Sequence, residues 1–179
     1  LLGICLGQVD GDLAGLEPGE LLPKQPLRKL IARHTVGLAD PLTDDEIGPD
    51  DQVEDGLPHS LDASIRAYGL THFKLKLGGE IDADIERLTR IAYVIDNAVA
   101  GDYGLTLDGN EQYTEIAGFR QLWDALNRNP ALVRFFEQLI FVEQPLKRTV
   151  ALSDATQEAM LAWTDRPPII IDESDAGLI

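Results

Sequence analysis

Four apolar runs in this chain each end in charged side chains, and their spacing constrains the fold more than any other feature. Ile140-Phe141-Val142-Glu143-Gln144-Pro145-Leu146 carries a β-branched, apolar run into a carboxylate and is stopped by a proline. That is the pattern of a buried strand delivering Glu143 to its C-terminal tip. Leu105-Thr106-Leu107-Asp108-Gly109-Asn110 and Ile169-Ile170-Ile171-Asp172-Glu173-Ser174 end in the same way, while Phe73-Lys74-Leu75-Lys76-Leu77-Gly78-Gly79 ends in two lysines. Lys76, Asp108, Glu143 and Asp172 are separated in turn by 32, 35 and 29 residues. Each interval fits one βαβ crossover of roughly 30 residues. Such crossovers make the strands parallel and bring their C-terminal ends to one side.

The intervening segments read as helices. Ser60 to Tyr68 has Leu61, Ile65 and Ala67 on an apolar side and is closed by Gly69. Ile81 to Ala98 places Ile85, Leu88, Ile91, Ala92 and Ile95 on one face. Thr114 to Leu139 is helical with a break at Asn129-Pro130, and Ser153 caps a further helix. Leu30 to Leu38 reads as a first strand, which completes a β-α-β-α-β-α-β-α-β order. Residues 1–29 read as a helix remnant and connector, and residues 30–179 as the main domain. A five-stranded doubly wound sheet and the first five units of a (β/α)8 barrel both satisfy this order.

Composition narrows the function classes. A formal net charge of −16 opposes binding to nucleic acid or to an anionic membrane, because phosphates need Lys and Arg to replace their counterions. Cys5 is the only cysteine, so neither an intramolecular disulfide nor a cysteine zinc site can form, which suits a cytoplasmic location. The apolar start Leu1-Leu2-Gly3-Ile4-Cys5-Leu6 is too short to span a bilayer and lacks a basic flank. With no initiating Met and a strand-end motif close to Ile179, the sequence reads as an internal part of a longer polypeptide.

Residues two apart in a strand share a face, so Lys74 and Lys76 point one way, as do Thr106, Asp108 and Asn110. Phe73, Leu75, Leu77, Leu105 and Leu107 face the opposite layer. Three carboxylates at neighbouring strand ends call for a cation between them, and a hard, oxygen-seeking ion such as Mg²⁺ answers that need. Two adjacent ammonium groups would depress each other's pKa and make a lysine available as a base. A metal and a base together suggest proton abstraction.

Lys74-Leu75-Lys76, Asp108-Gly109-Asn110, Val142-Glu143-Gln144-Pro145 and Asp172-Glu173-Ser174, in this order and at these intervals, resemble the enolase superfamily in its muconate-lactonizing and mandelate-racemase-like branch. The resemblance implies a (β/α)7β TIM-type barrel with a separate α+β capping domain, of which this chain would hold about the first five βα units. It implies Asp108, Glu143 and Asp172 as Mg²⁺ ligands, Lys76 as the acid/base and Lys74 as its electrostatic partner. Asn110 and Glu173 would support the ligands from behind, although alternation alone allows Glu173 in place of Asp172. The implied chemistry is loss of the proton α to a substrate carboxylate with stabilisation of the enediolate, in a racemase or epimerase, a dehydratase or a cycloisomerase. The partner would be a small-molecule carboxylate, with a homo-oligomer compatible and no nucleic acid or membrane. The remaining strands and most of the cap are absent from this sequence, so the fragment alone is expected to be inactive.

Two other readings remain at this stage. A receiver-like Mg²⁺-binding module also has five βα units, but it places its acidic pair after the first strand and its lysine after the fifth. A non-catalytic fragment that keeps the motifs would bind only a partner. Taken singly, Lys74, Lys76 and each acid would read as a solvated strand end, a turn or a helix cap. His34, His59 and His72 read as structural or surface residues. The acids from Asp40 to Asp55 read as a solvated loop, with a binding loop as the alternative.

Overall fold

The computed structural model describes residues 6–8 and 11–174, and its contacts divide the chain into Leu1–Ile31 and Ala32–Ile179. The first unit, where described, holds three-residue 3-10 turns at Leu6–Gln8, Gly11–Leu13 and Pro18–Glu20, and the helix remnant expected on its apolar start falls mostly outside the described residues. Its glycines and prolines break any helical period. Most of the apolar start, Cys5 included, lies outside the described residues, as does the end at Leu178-Ile179.

The second unit contains β1 (Arg33–Val36), α1 (Leu61–Tyr68), β2 (His72–Lys76), α2 (Ile81–Ala98), β3 (Gly104–Asp108), α3 (Ile116–Asn127), α4 (Val133–Glu137), β4 (Leu139–Glu143), α5 (Arg148–Ala151), α6 (Asp154–Ala162) and β5 (Ile169–Ile170). Local signals set several ends. Ser60 Oγ accepts the Ala63 N–H at 3.2 Å to start α1, and Gly69 closes it in the left-handed region at φ 61°. Ser153 Oγ accepts the Thr156 N–H to start α6. The helical segment expected from Thr114 to Leu139 breaks at Asn129-Pro130 as expected, into α3, a 3-10 turn at Pro130–Leu132 and α4, but Leu139 belongs to β4. Proline at 130 cannot donate into a continuous helix, and Asn129 caps the new start through the Ala131 N–H. The first strand is shorter than the sequence suggests, because β2 begins at His72 and its register partner is Arg33.

All five strands are parallel and lie in the order β1-β2-β3-β4-β5. Sequential order means that each right-handed crossover returns its helices to the same side of the sheet, as in a barrel. A doubly wound sheet reverses its order to cover both faces, so the doubly wound and receiver-like readings are set aside. Burial agrees with one helical layer: Phe73, Leu75 and Leu77 are fully buried, while His72, Lys74 and Lys76 on the other face are only half-buried. The helix-side core joins these residues to Leu105, Leu107 and Val142, to Leu88, Ile91 and Ile95 of α2, and to Phe119, Leu122 and Leu126 of α3. At about 1.5–3 kcal/mol for each large apolar side chain buried, this layer dominates the stability of the sheet.

Candidate active site

The parallel register aligns the charged strand ends. Lys76 pairs with Asp108 across β2 and β3, and Asp108 pairs with Glu143 across β3 and β4. Asp108 and Glu143 are both buried, so their carboxylates are poorly solvated and need positive charge nearby. Lys74 supplies it: its Nζ lies 2.7 Å from Asp108 Oδ2 and 2.6 Å from Glu143 Oε1. Lys76 Nζ donates to the same Asp108 Oδ2 at 2.6 Å. The Asn110 backbone N–H donates to Asp108 Oδ1 at 3.0 Å, so the main chain of Asn110 steadies the carboxylate.

The electrostatics differ from the sequence expectation at Lys74. Burial would lower its ammonium, but the hydrogen bonds to Asp108 and Glu143 outweigh burial and hold it above the ordinary lysine value. The two carboxylates therefore decide the direction of the shift. Burial likewise pushes the Asp108 carboxyl up, and the hydrogen bonds from Lys74, Lys76 and the Asn110 N–H more than reverse it, leaving Asp108 below its usual range.

Arg33 is a participant that sequence reasoning missed. Its Nη1 donates to Thr106 Oγ1 at 3.2 Å, its guanidinium lies 5.5 Å from the centre of the Phe141 ring, and Nη2 stands 3.6 Å from Glu143 Oε2. The available signal was its odd-numbered place on β1, which shares a face with Thr35. Glu143 Oε2 itself is buried and makes no hydrogen bond.

Asp172 does not join the cluster. Glu143 is in register with Ile170, so Asp172 falls two residues past that partner, beyond the end of β5, and is exposed. Its backbone N–H donates to Gln144 Oε1 at 2.8 Å. Glu173 Oε2 is buried without a hydrogen bond. Among the described residues no group of three His, Cys, Asp or Glu is arranged to hold a metal ion. Of the three acids that the resemblance implies as Mg²⁺ ligands, Asp108 and Glu143 lie together, both against Lys74 Nζ, with an unbonded oxygen on Glu143, while Asp172 lies apart. Asp172 would have to move to complete the set.

The histidines lie elsewhere. His59 Nε2 is 2.9 Å from Asp55 Oδ1 in the acidic loop, and His72 Nδ1 is 3.0 Å from Thr71 Oγ1 at the start of β2. Several loop acids are tied into the fold instead of being merely solvated. Asp44 accepts from Ser60 Oγ at 2.6 Å, Glu46 accepts from the Leu42 N–H and pairs with Arg90, and Asp40 accepts from the Gly37 N–H.

No family model and no curated protein matches the sequence. Among solved structures, the chain is similar to N-succinyl Arg/Lys racemase from Bacillus cereus, with 22% identity, a TM-score of 0.52, and coverage of 79% of this chain and 30% of the racemase. It is also similar to a dipeptide epimerase from Enterococcus faecalis, with 23% identity, a TM-score of 0.48, and coverage of 81% and 33%. The likeness to the racemase establishes a shared fold, a portion of a TIM-type barrel, and the chain spans 30% of that protein's length. No helix among the described residues is long and apolar enough to cross a membrane.

Proposed function

We propose that this chain supplies the metal-binding and proton-transferring strand ends of an enolase-superfamily enzyme acting on a small carboxylate substrate. The observation that carries the reading is the alignment of Lys76, Asp108 and Glu143 in register at three adjacent parallel strand ends. Asp108 and Glu143 would hold Mg²⁺, with Asp172 as third ligand once its loop draws in. A bound Mg²⁺ would supply Lewis-acid stabilisation of the negative charge that grows on the substrate carboxylate as its α-proton leaves. Lys76, whose Nζ stands at the edge of the cluster against Asp108, takes or returns that proton at the α-carbon. Lys74 stays cationic between the two acids and limits their repulsion. The buried Asp108 and Glu143 keep this charge in a site of low polarity, where each electrostatic contact is stronger than in water.

Racemisation, epimerisation, dehydration and cycloisomerisation all begin with this step. The racemase whose fold the chain shares makes N-acylated amino acids the first substrates to try. The test follows exchange of the substrate α-hydrogen in deuterated solvent, using the longest natural reading frame that contains this sequence. Wild type should exchange with Mg²⁺ present. Lys76→Ala should abolish exchange, and so should Lys76→Arg, because a guanidinium keeps its proton at neutral pH. Exchange at the wild-type rate in Lys76→Arg would remove Lys76 from the proton-transfer role.

A further inference from the structure

Lys76 is the last residue of β2, and the ladder to β3 runs one rung past it, where the Leu77 N–H donates to Asp108 O at 2.9 Å. Gly78 and Gly79 come next. Two glycines in succession make a freely jointed link, and a strand tip that ends in one frays unless something holds it. This turn also has a set path. Gly79 sits at φ 89°, in the left-handed region, and passes so close to the loop after β3 that a Cβ on it would lie 3.0 Å from Gln112 Cβ.

Asp84 is the anchor. Its Oδ1 accepts the Gly78 N–H at 2.7 Å and its Oδ2 accepts the Gly79 N–H at 2.9 Å. The residue lies near the start of α2, where its own N–H donates to Glu80 O at 2.8 Å, and it is 4% exposed, on the same buried row as Leu88, Ile91 and Ile95. A carboxylate in an apolar row loses its solvation, so burial pushes the Asp84 carboxyl up and the two glycine N–H groups offset only part of that. An apolar residue would suit the row and would lose both bonds. We infer that Asp84 is the positioning residue for Lys76: by tying both glycines beyond the lysine to α2, it fixes the strand tip from which Lys76 Nζ reaches Asp108 Oδ2 at 2.6 Å. A lysine Nζ stands at the end of a flexible four-carbon stem, so its place depends on a backbone that does not move. The inference rests on the reading of Lys76 as the group that moves the proton, and nothing in it depends on Asp172 or on a bound ion.

The test acetylates amines with acetic anhydride in the longest natural reading frame that contains this sequence and follows each lysine by mass spectrometry. In wild type Lys76, bonded to Asp108, should label more slowly than the exposed Lys147. Asp84→Ala should speed labelling of Lys76 severalfold and leave Lys74 as slow as before, because Lys74 lies two residues earlier on β2 and is held by both Asp108 and Glu143. Asp84→Asn keeps the volume and one acceptor, so its Lys76 should label at a rate between the two, and it serves where Asp84→Ala does not fold. Unchanged labelling of Lys76 in a folded variant overturns the proposal, and a joint rise of Lys74 and Lys76 overturns it in favour of general loosening of β2. Exchange of the substrate α-hydrogen gives the second measure. In Asp84→Ala kcat should fall by on the order of 10²-fold, as for a reacting group misplaced by ~1 Å, while KM stays the same. A raised KM with kcat intact overturns positioning for proton transfer. A wild type that exchanges no α-hydrogen, or a Lys76→Arg that exchanges at the wild-type rate, overturns the reading of Lys76 instead, and the labelling then decides by itself whether Asp84 positions that lysine.

Discussion

Lys74 is the residue on which the charge balance of the strand ends turns. Its side chain is 15% exposed, and the acids on either side of it, Asp108 and Glu143, are 2% and 6% exposed. Removing one partner from a buried ion pair leaves the other charge uncompensated, which typically costs about 3–5 kcal/mol. Lys76 still donates to Asp108 and Arg33 still stands beside Glu143, so Lys74→Met should lower the unfolding free energy by less than that, roughly 1.5–3 kcal/mol, in urea titrations without metal. Added Mg²⁺ should restore part of the loss, because Asp108 and Glu143 would hold it and its charge would offset theirs. A loss below about 1 kcal/mol would place the pair among solvent-screened surface bridges.

At the scale of elements, the segments after β3 and β4 behave as one unit. Gly109 donates its N–H to Glu143 O at 2.8 Å, Tyr113 to Pro145 O at 3.0 Å, and Lys147 to Tyr113 O at 2.8 Å. A Cβ on Gly109 would sit 2.4 Å from Pro145 Cα, so only glycine lets the two backbones approach this closely. Glu111 closes the unit by accepting the Arg148 backbone N–H at 2.7 Å and two bonds from its guanidinium, at 2.9 and 2.7 Å. These hydrogen bonds hold the Glu111 carboxyl at about 2, well below its ordinary 4.5. A carboxyl depressed in the folded state adds stability that is complete above its unfolded value and is lost as pH falls toward the folded one. The stability gap between wild type and Glu111→Gln should therefore be constant above pH 4.5 and shrink as pH approaches about 2, followed by denaturant unfolding across that range. A gap that persisted unchanged to pH 2 would mean that the carboxylate contributes nothing through its charge.

Across the barrel portion, the strand order leaves β1 and β5 with one hydrogen-bonded neighbour each. Ile170 and Ile171, at the β5 edge, are 40% and 39% exposed. Unpaired strand edges with apolar side chains recruit other chains. The isolated 179-residue chain should therefore associate as its concentration rises, and sedimentation velocity would detect it. A monomer at every concentration tested would show that the edges are protected. The same open order is what brings Lys76, Asp108 and Glu143 side by side, since only strands adjacent in sequence and in space align their ends in succession.

The amino-acid sequence by itself determined the elements and their faces. Alternation through Phe73, Leu75 and Leu77, the helical period of Ile85 to Ile95, and the stops at Ser60, Gly69 and Ser153 depend on neighbours a few residues away, so each was legible locally. The intervals between the charged strand ends also made the parallel crossovers legible. Only the tertiary structure decided between barrel-type and doubly wound order, because both satisfy the same local periods. It also decided the partners: Lys74 reaches Glu143 across 69 residues, and Gln144 reaches Asp172 across 28. Like charges side by side in the sequence suggested a lowered lysine, whereas register placed two buried carboxylates against Lys74 and raised it. The sequence likewise put Asp172 level with Asp108 and Glu143, but pairing of Glu143 with Ile170 leaves it one rung beyond, where a glutamine side chain takes the place of the ladder. Register and burial are properties of strands meeting across the fold, and no local pattern carries them.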